Sequence, residues 1–419
     1  MDLESSLKKL YSLHTFGIKL GLDNTIGFLN YLGKPQKELQ TIHIAGSNGK
    51  GSTASFISSI LQEFGYKVGL YTSPHFVKFN ERIVINGKQI DDEYISVFIS
   101  QNEKYIDEHQ LTFFEVTTAM AFQYFRIMKP DCCVIETGLG GRLDATNVLN
   151  PLAVVITSIS LEHTNVLGNS IEQIAFEKAA IIKNRAKVFT GMLVKEAGDI
   201  VKKKCKETQS QYFKLEDFIS KDLNNIRLFS DDSALPLNPP LRGDYQKKNA
   251  ALAALTVSKT FHLENELNYL NAISNVCINT GLQGRYEYYH KNPTIIFDSA
   301  HNPEGIAAFL GEFTNESGNF KNRILLFGAM KDKAISEMLM SLSKHFDEIF
   351  LPKIEYERAA KPEELKILCE KMNINCKLLE KPADFINDFK LKRIGECLVV
   401  LGSMYLLGEI KQQLLDGET

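Results

Sequence analysis

The stretch that decides the fold is Thr41-Ile42-His43-Ile44-Ala45, followed by Gly46-Ser47-Asn48-Gly49-Lys50-Gly51-Ser52-Thr53. The first five residues are mostly apolar and predict a buried strand, and the apolar spacing after Thr53 predicts a helix that ends near Gly65. A glycine-rich loop between a strand and a helix presents backbone N–H groups and a helix N-terminus to phosphate. We therefore predict a nucleotide-binding α/β domain around this loop.

The loop has the residue types that a nucleotide phosphate needs. Lys50 is placed to reach the β- and γ-phosphates, and Ser52 or Thr53 to contact a magnesium ion. The loop departs from the standard pattern, since Ile44 occupies the first glycine position and Gly51 separates the lysine from the hydroxyl. A glycine-rich turn whose lysine has no role is the alternative, and the flanking strand and helix favour the phosphate site.

Other apolar runs predict the strands of two parallel sheets, because a strand covered on both faces is apolar throughout. These runs are residues 68–71, 132–135 and 152–159, and then, in a second series, residues 294–297, 324–327, 348–351 and 398–401. The predicted fold class is α/β, with a P-loop-containing parallel-sheet ATPase domain at residues 1–281 and a smaller Rossmann-like α/β domain at residues 282–419. The proline-rich segment 235–240 predicts a loop inside the first domain.

Composition restricts the class of protein. The 419 residues are 44% hydrophobic and 24% charged, with a formal net charge of −3. This balance is typical of globular proteins and predicts neither nucleic-acid nor membrane partners, and no apolar run reaches the ~20 residues that a membrane-spanning helix needs. The seven cysteines include no CxxC pair, so we expect a reduced, cytoplasmic protein without a zinc site.

Three polar residues follow predicted strands of the first domain. Ser73 comes after the strand at 68–71, Glu136 ends the strand that starts at Cys132, and His163 follows the strand at 152–159. Ligands of an open parallel sheet bind at the carboxyl ends of its strands, and these three side chains suit a hard cation that also binds phosphate. We predict a metal site from their common location; separate roles in turns or helix caps are the alternative.

Two segments are candidates for holding a ligand. Residues 137–147 place three glycines beside Arg142 and Asp144, which favours a binding loop over a flexible surface loop. The segment Thr112-Phe113-Phe114-Glu115 opens a helix, and its simplest interpretation is a capping box between the threonine and the glutamate. The less favoured interpretation is that the two phenylalanines form an aromatic surface for a flat ring.

Lys178 lies on the apolar stripe of a predicted helix that begins after Ser170, with Gln173 completing a capping box. Burial disfavours the ammonium form, and a neutral amine can react with carbon dioxide to give a carbamate that carries negative charge toward a metal. The alternative, which helix periodicity alone favours, is a lysine that snorkels or pairs with a carboxylate such as Glu136.

The second domain contributes three candidate residues at its start and at a strand end. Arg285 can stabilise the charge of a transferring phosphoryl group, and Asp298 can hold a ribose hydroxyl or orient Arg285. His301 can contact an amino-acid substrate, whereas Asn302-Pro303 alone is typical of a turn. Because ligand sites are common at domain interfaces, we expect a cleft between the two domains.

Ordered motifs run along nearly the whole chain. Besides the segments above they include Leu32-Gly33-Lys34-Pro35-Gln36, Thr72-Ser73-Pro74-His75, Glu177-Lys178-Ala179 and Gly328-Ala329-Met330-Lys331-Asp332-Lys333. Together they resemble the folylpolyglutamate synthase and dihydrofolate synthase family of the Mur ligase superfamily. The resemblance implies an ATP-dependent ligase that joins L-glutamate to dihydropteroate or to a reduced folate through an acyl phosphate, with two magnesium ions. It also makes the second domain a glutamate-ligase domain.

The resemblance assigns roles to matching positions. It implies that the catalytic residues are Lys50, Lys178, Arg285 and His301, with His301 near the glutamate. It implies that ATP contacts Ser47, Asn48, Gly49, Lys50, Gly51, Ser52, Asn249, Arg285 and Asp298, and that Ser73, Glu136 and His163 bind metal. It places the pterin substrate beside Thr112, Phe113, Phe114, Glu115, Leu143, Asp144 and Ala145. It also favours a carbamylated Lys178, which reverses the preference drawn from periodicity.

Some positions depart from the family pattern. Ser47 stands where threonine is commoner, Glu162 replaces an aspartate, Tyr245 stands where histidine is frequent, and Ser299 stands where glycine is common. The last three bear on local geometry and not on the predicted reaction.

Three alternative functions remain at this point. One is folylpolyglutamate synthase activity alone, and another is a cell-wall Mur ligase acting on a UDP-sugar peptide. About forty residues precede the phosphate loop, fewer than the additional N-terminal domain of such a ligase. The third is a nucleotide-binding regulatory module without ligase activity. We expect a monomer that acts on small molecules.

Overall fold

The structure, a computed structural model, describes residues 2–13, 21–228 and 234–417. These residues form two compact units. The first runs to Gly281, except that two internal segments, His75–Phe79 and Leu241–Gln246, group with Leu282–Thr419 in the second. A single boundary in the sequence does not describe these two segments, because their packing partners lie far along the chain.

The first unit is built on a mainly parallel sheet. Its eight strands among the described residues are β1 Thr41–Ala45, β2 Val68–Tyr71, β3 Ile83–Ile85, β4 Lys88–Gln89, β5 Cys132–Glu136, β6 Ala153–Ile156, β7 Lys187–Thr190 and β8 Gln211–Lys214. The order is β4-β3-β2-β5-β1-β6-β7-β8, and β3 and β4 run antiparallel to their neighbours. All five residues of β1 are buried, as expected for a central strand covered on both faces.

Helices cover this sheet, and a short hairpin accompanies it. The helices are α1 Leu3–Ser12, α2 Asp23–Tyr31, α3 Lys50–Glu63, α4 Asp92–Glu108, α5 Phe113–Met128, α6 Thr164–Leu167, α7 Ile171–Ala179, α8 Lys195–Glu207, α9 Asp244–Phe261, α10 Glu266–Ser274 and α11 Val276–Thr280. The hairpin pairs β9, Asn225–Arg227, with β10, Ala234–Pro236. The predicted loop at 235–240 is therefore wrong at its start, because Leu235 is a buried strand residue opposite Ile226.

The α/β fold is confirmed, and the predicted strands occur with small changes in length. The largest change is in the strand predicted at 152–159, which ends at Ile156. Beyond that residue, the N–H of Thr157 still donates to the carbonyl of Ala45, and the side chains of Thr157 and Ser158 add hydrogen bonds with the backbone of Asn48. An apolar run indicates burial but does not show at which residue a strand ends.

The second unit is a smaller sheet with helices on both faces. Its strands are β11 Glu287–Lys291, β12 Thr294–Phe297, β13 Arg323–Phe327, β14 Glu348–Pro352, β15 Cys376–Leu379 and β16 Cys397–Leu401, in the order β11-β12-β16-β13-β14-β15. The strand β11 is antiparallel to β12, and the other pairs are parallel. The helices are α12 Pro303–Phe313, α13 Ile335–Leu342, α14 Pro362–Lys371, α15 Pro382–Lys392 and α16 Met404–Asp416.

Alternate residues of these strands face the two helical layers, as the period of two in a strand requires. In β13, Leu325 and Phe327 belong to the core shared with α12, α13 and α14. Ile324 and Leu326 belong to the core shared with α15 and α16. The sheet is thus buried on both faces, which explains why its strands are apolar throughout.

The segment His75–Phe79 packs on the last helix of the second unit. The backbone carbonyl of Phe76 approaches Gly408 so closely that a Cβ built at Gly408 would lie 1.8 Å from the carbonyl oxygen. The Phe76 ring also fills the space beside Gly284, and Lys411 Nζ lies 5.5 Å from the centre of that ring. Glycine at position 408 is therefore required for this packing.

Among the described residues, no helix combines the length and the hydropathy of a membrane-spanning segment.

Candidate active site

The phosphate loop, residues 46–49, joins β1 to α3 and is held by the chain that follows β6. Thr157 Oγ1 donates to the carbonyl of Asn48 at 2.6 Å, and the N–H of Asn48 donates to Ser158 Oγ at 2.8 Å. The N–H of Ser47 donates to the carbonyl of Ser158 at 2.9 Å, and the N–H of Ser160 donates to Ser47 Oγ at 3.0 Å. These bonds fix the loop before any ligand binds.

Lys50 and Gly49 shape the centre of the loop. The Lys50 ammonium folds back and donates to the carbonyls of Gly46 at 2.8 Å and Ser47 at 3.2 Å. Gly49 has a φ of 83°, and a Cβ there would lie 2.6 Å from Asn249 Oδ1. The structure therefore brings Asn249, some two hundred residues away in sequence, to the loop, as the resemblance implies. In the first turn of α3, Gly51 is half-buried and Ser52 is buried.

The residues predicted to bind metal lie after strands on either side of β1. The N–H of Ser73 donates to Glu136 Oε2 at 3.0 Å, which brings together the ends of β2 and β5. His163 follows β6 by seven residues and is the N-cap of α6, with a φ of 45°. Within the described ranges, no three His, Cys, Asp or Glu side chains form a metal-binding group.

Lys178 is 1% exposed and forms an ion pair that crosses from α7 to the chain after β6. Its ammonium donates to Glu162 Oε1 at 2.6 Å and to the carbonyl of Gly46 at 3.0 Å. Burial lowers the pKa of Lys178, and the nearby Lys50 charge adds to this effect. Burial acts to raise the pKa of Glu162. The positive charges of Lys178 and Lys50 outweigh burial and lower that pKa below its usual value, so the pair is ionised. The lysine thus pairs with Glu162, whereas the sequence interpretation named Glu136.

The predicted capping box at the start of α7 is only half formed. Ser170 Oγ accepts from the N–H of Gln173, as expected. The side chain of Gln173, however, accepts from the N–H of Asn169 and not from Ser170. The Gln173 side chain thus caps the N–H one residue before the predicted one, and Lys178 is buried as predicted.

Asp144 is buried in the loop that follows β5, and its carboxylate is used inside that loop. One oxygen accepts from the N–H groups of Gly138 at 2.9 Å and Leu139 at 2.8 Å, and the other accepts from the N–H and hydroxyl of Thr146. Burial raises the pKa of Asp144, and these four bonds oppose that shift. Its neighbours Leu143 and Ala145 are half-buried and buried, respectively.

His43 supports this loop from β1. Its Nε2 lies 2.8 Å from Thr146 Oγ1, whereas Nδ1 is buried and has no hydrogen-bond partner among the described residues. Burial, together with the charge of Lys183, lowers the pKa of His43 to about 3. The imidazole is therefore neutral near pH 7.

The capping box at the start of α5 is confirmed, because Thr112 and Glu115 each accept from the other's backbone N–H. Of the two aromatic residues between them, Phe113 is 5% exposed and its ring lies against Tyr11 and the Arg82 guanidinium. Phe114 is half-buried, so its ring is the one with surface available to a ligand.

In the second unit, Asp298 holds the turn that carries Arg285. Its two carboxylate oxygens accept from the N–H groups of Tyr286 at 2.6 Å and Ala300 at 2.8 Å. Burial raises the pKa of Asp298, and these bonds together with Arg285 oppose that shift. Arg285 donates to the carbonyl of Gly284 at 3.0 Å.

His301 lies close to Asp298 along the chain, at the start of α12. Its Nδ1 is 2.9 Å from the carbonyl of Ser299, so Nδ1 carries the ring hydrogen. Asn302 accepts from the N–H of Gly305, and Pro303 is the first residue of the helix. The Asn302-Pro303 pair, predicted as a turn, is therefore a helix cap.

Several residues at these sites were not singled out in the sequence. Glu162 was noted only as a departure from the family pattern, and His43 and Thr146 only as parts of longer segments. Lys411, on α16, donates to Glu287 at 2.8 Å and to Gln283 at 2.7 Å, and so supports the turn at Gly284. A charged residue on the apolar face of a helix is the only signal that could have identified Lys411.

The chain matches two known domain families. The Mur ligase middle domain matches residues 44–257, and the Mur ligase, glutamate ligase domain matches residues 284–404. The dihydrofolate synthase/folylpolyglutamate synthase of Bacillus subtilis (strain 168) is 34% identical over 420 residues, which covers 95% of this chain and 96% of that protein. The folylpolyglutamate synthase of Lacticaseibacillus casei is 32% identical, covering 93% of this chain and 94% of that protein.

Solved structures with similar folds include ligand complexes. A Mycobacterium tuberculosis folylpolyglutamate synthase complexed with ADP and AMPPCP has a TM-score of 0.86 and 26% identity, covering 99% of each chain. E. coli FolC in complex with DHPP and ADP has a TM-score of 0.85 and 27% identity, covering 100% of this chain and 99% of that one.

Replacing Gly49 with alanine is expected to weaken nucleotide binding. The added Cβ would meet Asn249 Oδ1, and the positive φ would be strained, so we expect the Kd for ADP to rise about tenfold or more. Calorimetric titration with ADP measures this. Gly198→Ala is the control, because nothing lies within 4 Å of a Cβ at that position on α8. A folded Gly49→Ala variant with the wild-type Kd would contradict the close approach of Asn249.

His43 is expected to make the protein less stable in acid. The unfolded chain takes up a proton on this histidine below a pH of about 6.5, whereas the folded protein does so only near pH 3. Stability is therefore present above the unfolded pKa and falls as the pH falls between these values, by up to about 1.4 kcal/mol per pH unit.

In the variant His43→Gln, the free energy of unfolding should depend less on pH, because the contribution of His43 is lost. Urea unfolding at pH 6.0, 5.5 and 5.0 measures this slope. The control is His109→Gln, at an exposed position after α4, which should keep the wild-type slope. An unchanged slope in His43→Gln would mean that His43 is charged in the folded protein.

Proposed function

The chain belongs to the dihydrofolate synthase/folylpolyglutamate synthase family of Mur ligases, and we propose that it joins L-glutamate to dihydropteroate and to reduced folates. It is an ATP-dependent ligase of the folate synthase type. The observation that carries the proposal is the phosphate loop with Lys50, held beside Glu136 and Lys178 at one edge of the sheet.

The phosphate loop would hold ATP. Backbone N–H groups and side chains of the loop would hold its phosphates, from Ser47, Asn48, Gly49, Lys50, Gly51 and Ser52. Lys50 now donates to two loop carbonyls, and a phosphate would give its charge a stronger partner. Asn249 approaches the loop at Gly49. In the second unit, Arg285 and Asp298 would complete the nucleotide contacts.

Magnesium fits the donor set at this edge of the sheet. Glu136 is a buried carboxylate, and Ser73 adjoins it through its backbone N–H. Mg²⁺ is usually held by one or two carboxylates together with substrate phosphates and water, so Ser73, Glu136 and His163 would hold the two proposed ions without a complete protein cage. The metal would neutralise charge on the transferring phosphoryl group.

We place a carbamate on Lys178, within the same proposal. Burial lowers the pKa of Lys178, and this enlarges the neutral fraction of the lysine that can react with carbon dioxide, although Glu162 opposes the shift. The carbamate would be an anion facing Glu162, which now accepts from the lysine at 2.6 Å. Two facing anions require a cation between them, so the modification should depend on bound magnesium.

The reaction has two steps. A carboxylate oxygen of the acceptor attacks the γ-phosphorus of ATP, ADP leaves, and an acyl phosphate forms. The deprotonated amine of L-glutamate then attacks the carbonyl carbon, the carbon–nitrogen bond forms, and phosphate leaves as the amine gives up a second proton. Lys50 and Arg285 stabilise the phosphoryl charge, and His301 holds the incoming glutamate.

The acceptor binds beside α5 and the loop after β5. The partly exposed Phe114 ring gives a flat surface for a pterin. Thr112 and Glu115 fix the start of α5 through the capping box, and Phe113 fixes it through packing. Leu143, Asp144 and Ala145 border the same space. These contacts support the use of both dihydropteroate and folate; folylpolyglutamate synthase activity alone is the second candidate.

Two further sequence predictions remain part of this proposal. We place the enzyme in the cytoplasm, consistent with the seven free cysteines. We also propose that the enzyme acts as a monomer.

The expected activity is release of phosphate from ATP that depends on L-glutamate, measured separately with dihydropteroate and with tetrahydrofolate. Lys50→Ala should reduce turnover by about a thousandfold or more while the protein remains folded, because a charge that stabilises the transition state is lost. Lys203→Ala, at an exposed position on α8, should keep full activity. Release with tetrahydrofolate alone would leave the second candidate, and no release with either acceptor would contradict the proposal.

The carbamate should give a carbonyl signal in the ¹³C NMR spectrum of protein prepared with ¹³C-bicarbonate and magnesium. We expect the signal to disappear in Lys178→Arg and to weaken when magnesium is chelated. Lys183→Arg is the matched control, since burial also lowers the pKa of Lys183 but that residue donates to the carbonyl of Asn147. A signal lost in Lys183→Arg and retained in Lys178→Arg would place the modification elsewhere.

A further inference from the structure

Three buried polar side chains, those of His43, Thr146 and Asp144, connect β1 to the loop after β5. The proposed reaction does not use His43 or Thr146. His43 lies on β1 and is fully buried, Thr146 is fully buried, and Asp144 is 5% exposed. His43 contacts Thr146, and Thr146 contacts Asp144. A buried polar network of this kind is stabilising only when its members are paired. The donor and the acceptor of each hydrogen bond therefore follow from the hydrogens that each side chain can donate.

The direction of the hydrogen bonds follows from Asp144. Its two oxygens accept from three backbone N–H groups and from the Thr146 hydroxyl, as suits an ionised carboxylate. The single hydroxyl hydrogen of Thr146 is therefore used toward Asp144. Thr146 Oγ1 must then accept from His43, so Nε2 carries the imidazole hydrogen and Nδ1 does not.

The other oxygen of Asp144 extends the connection to the acceptor side of the site. It accepts from the N–H groups of Gly138 and Leu139, which directly follow Glu136 and Thr137. Gly138 lies close to the far end of the Phe114 ring, since a Cβ built at Gly138 would be 2.5 Å from Phe114 Cζ. The position of this backbone therefore limits where the Phe114 ring can lie.

Tyr71 restrains the Phe114 ring as well, with the two ring centroids 6.2 Å apart. The Tyr71 hydroxyl is itself held at 3.2 Å from Thr118 on α5. The ring proposed to receive the pterin thus has a fixed aromatic neighbour, Tyr71, and a backbone neighbour, Gly138, whose position depends on Asp144.

We propose that His43 is a positioning residue for the acceptor, acting through Thr146 and Asp144 on the Gly138–Leu139 backbone that packs against Phe114. The proposal rests on the proposed function and goes beyond it, because it makes a residue on the phosphate-loop strand a determinant of acceptor binding. Nucleotide binding does not require this connection, since the phosphate loop is held by Thr157, Ser158 and Ser160.

The test compares Thr146→Val with Thr146→Ser, which differ in whether the hydroxyl is kept. In Thr146→Val we expect the KM for dihydropteroate to rise about tenfold, as for the loss of one hydrogen bond to a charged group, with the KM for ATP within about twofold of wild type. We expect Thr146→Ser to restore the dihydropteroate KM. Faster hydrogen exchange at the Gly138 and Leu139 amides in Thr146→Val alone should accompany the change.

A second pair covers the case in which Thr146→Val does not fold. His43→Leu removes the donor to Thr146, whereas His43→Gln can supply an N–H at a similar position, so only the leucine variant should show the change in KM and exchange. The inference is overturned if the serine variant is as impaired as the valine variant, if the ATP KM rises equally, or if both amides exchange at the wild-type rate.

Hydrogen exchange needs no substrate, so it separates this inference from the proposed function. If the wild-type protein releases no glutamate-dependent phosphate with either acceptor, the proposed function fails. The exchange rates of the two amides then still decide whether His43 and Thr146 hold the backbone.

Discussion

The phosphate loop, α7 and the chain after β6 meet at one buried side chain, that of Lys178. Lys178 donates to the carbonyl of Gly46 in the phosphate loop and to Glu162 in the chain after β6, so one side chain on α7 joins the ends of two adjacent strands. A buried charge is tolerated only when it is paired and hydrogen-bonded. Removing the side chain of Lys178 or of Glu162 would leave an unpaired charge in the core. The phosphate loop, the chain after β6 and α7 therefore hold one another in place.

The order of the strands explains why so many functional groups meet at one edge. The strands β2, β5, β1 and β6 are consecutive in the sheet and parallel, so the residues that follow them emerge on the same side. Ser73, Glu136, the phosphate loop and His163 follow these four strands in turn. The hydrogen bonds from Thr157 and Ser158 to Asn48 then fix the distance between the phosphate loop and the chain after β6, which the sheet alone would leave variable.

Much of the fold could be predicted from the sequence, because long apolar runs and glycine-rich turns are local signals. The phosphate loop, the capping box at Thr112 and the burial of Lys178 all follow from residues close together in the chain. The partner of Lys178 could not be predicted, because Glu162 lies on a loop whose path depends on the end of β6. For the same reason the roles of His43, Lys411 and the segments at 75–79 and 241–246 became visible only in three dimensions.

The packing of Phe76 on α16 has a consequence for synthesis on the ribosome. Phe76 is made more than three hundred residues before Gly408, which at ~5–20 residues per second is a delay of roughly twenty seconds to a minute. During that interval the phenylalanine has no helix to pack against, and a chain that stops before α16 never acquires one. The packing of Phe76 is thus completed only after α16 has been synthesised.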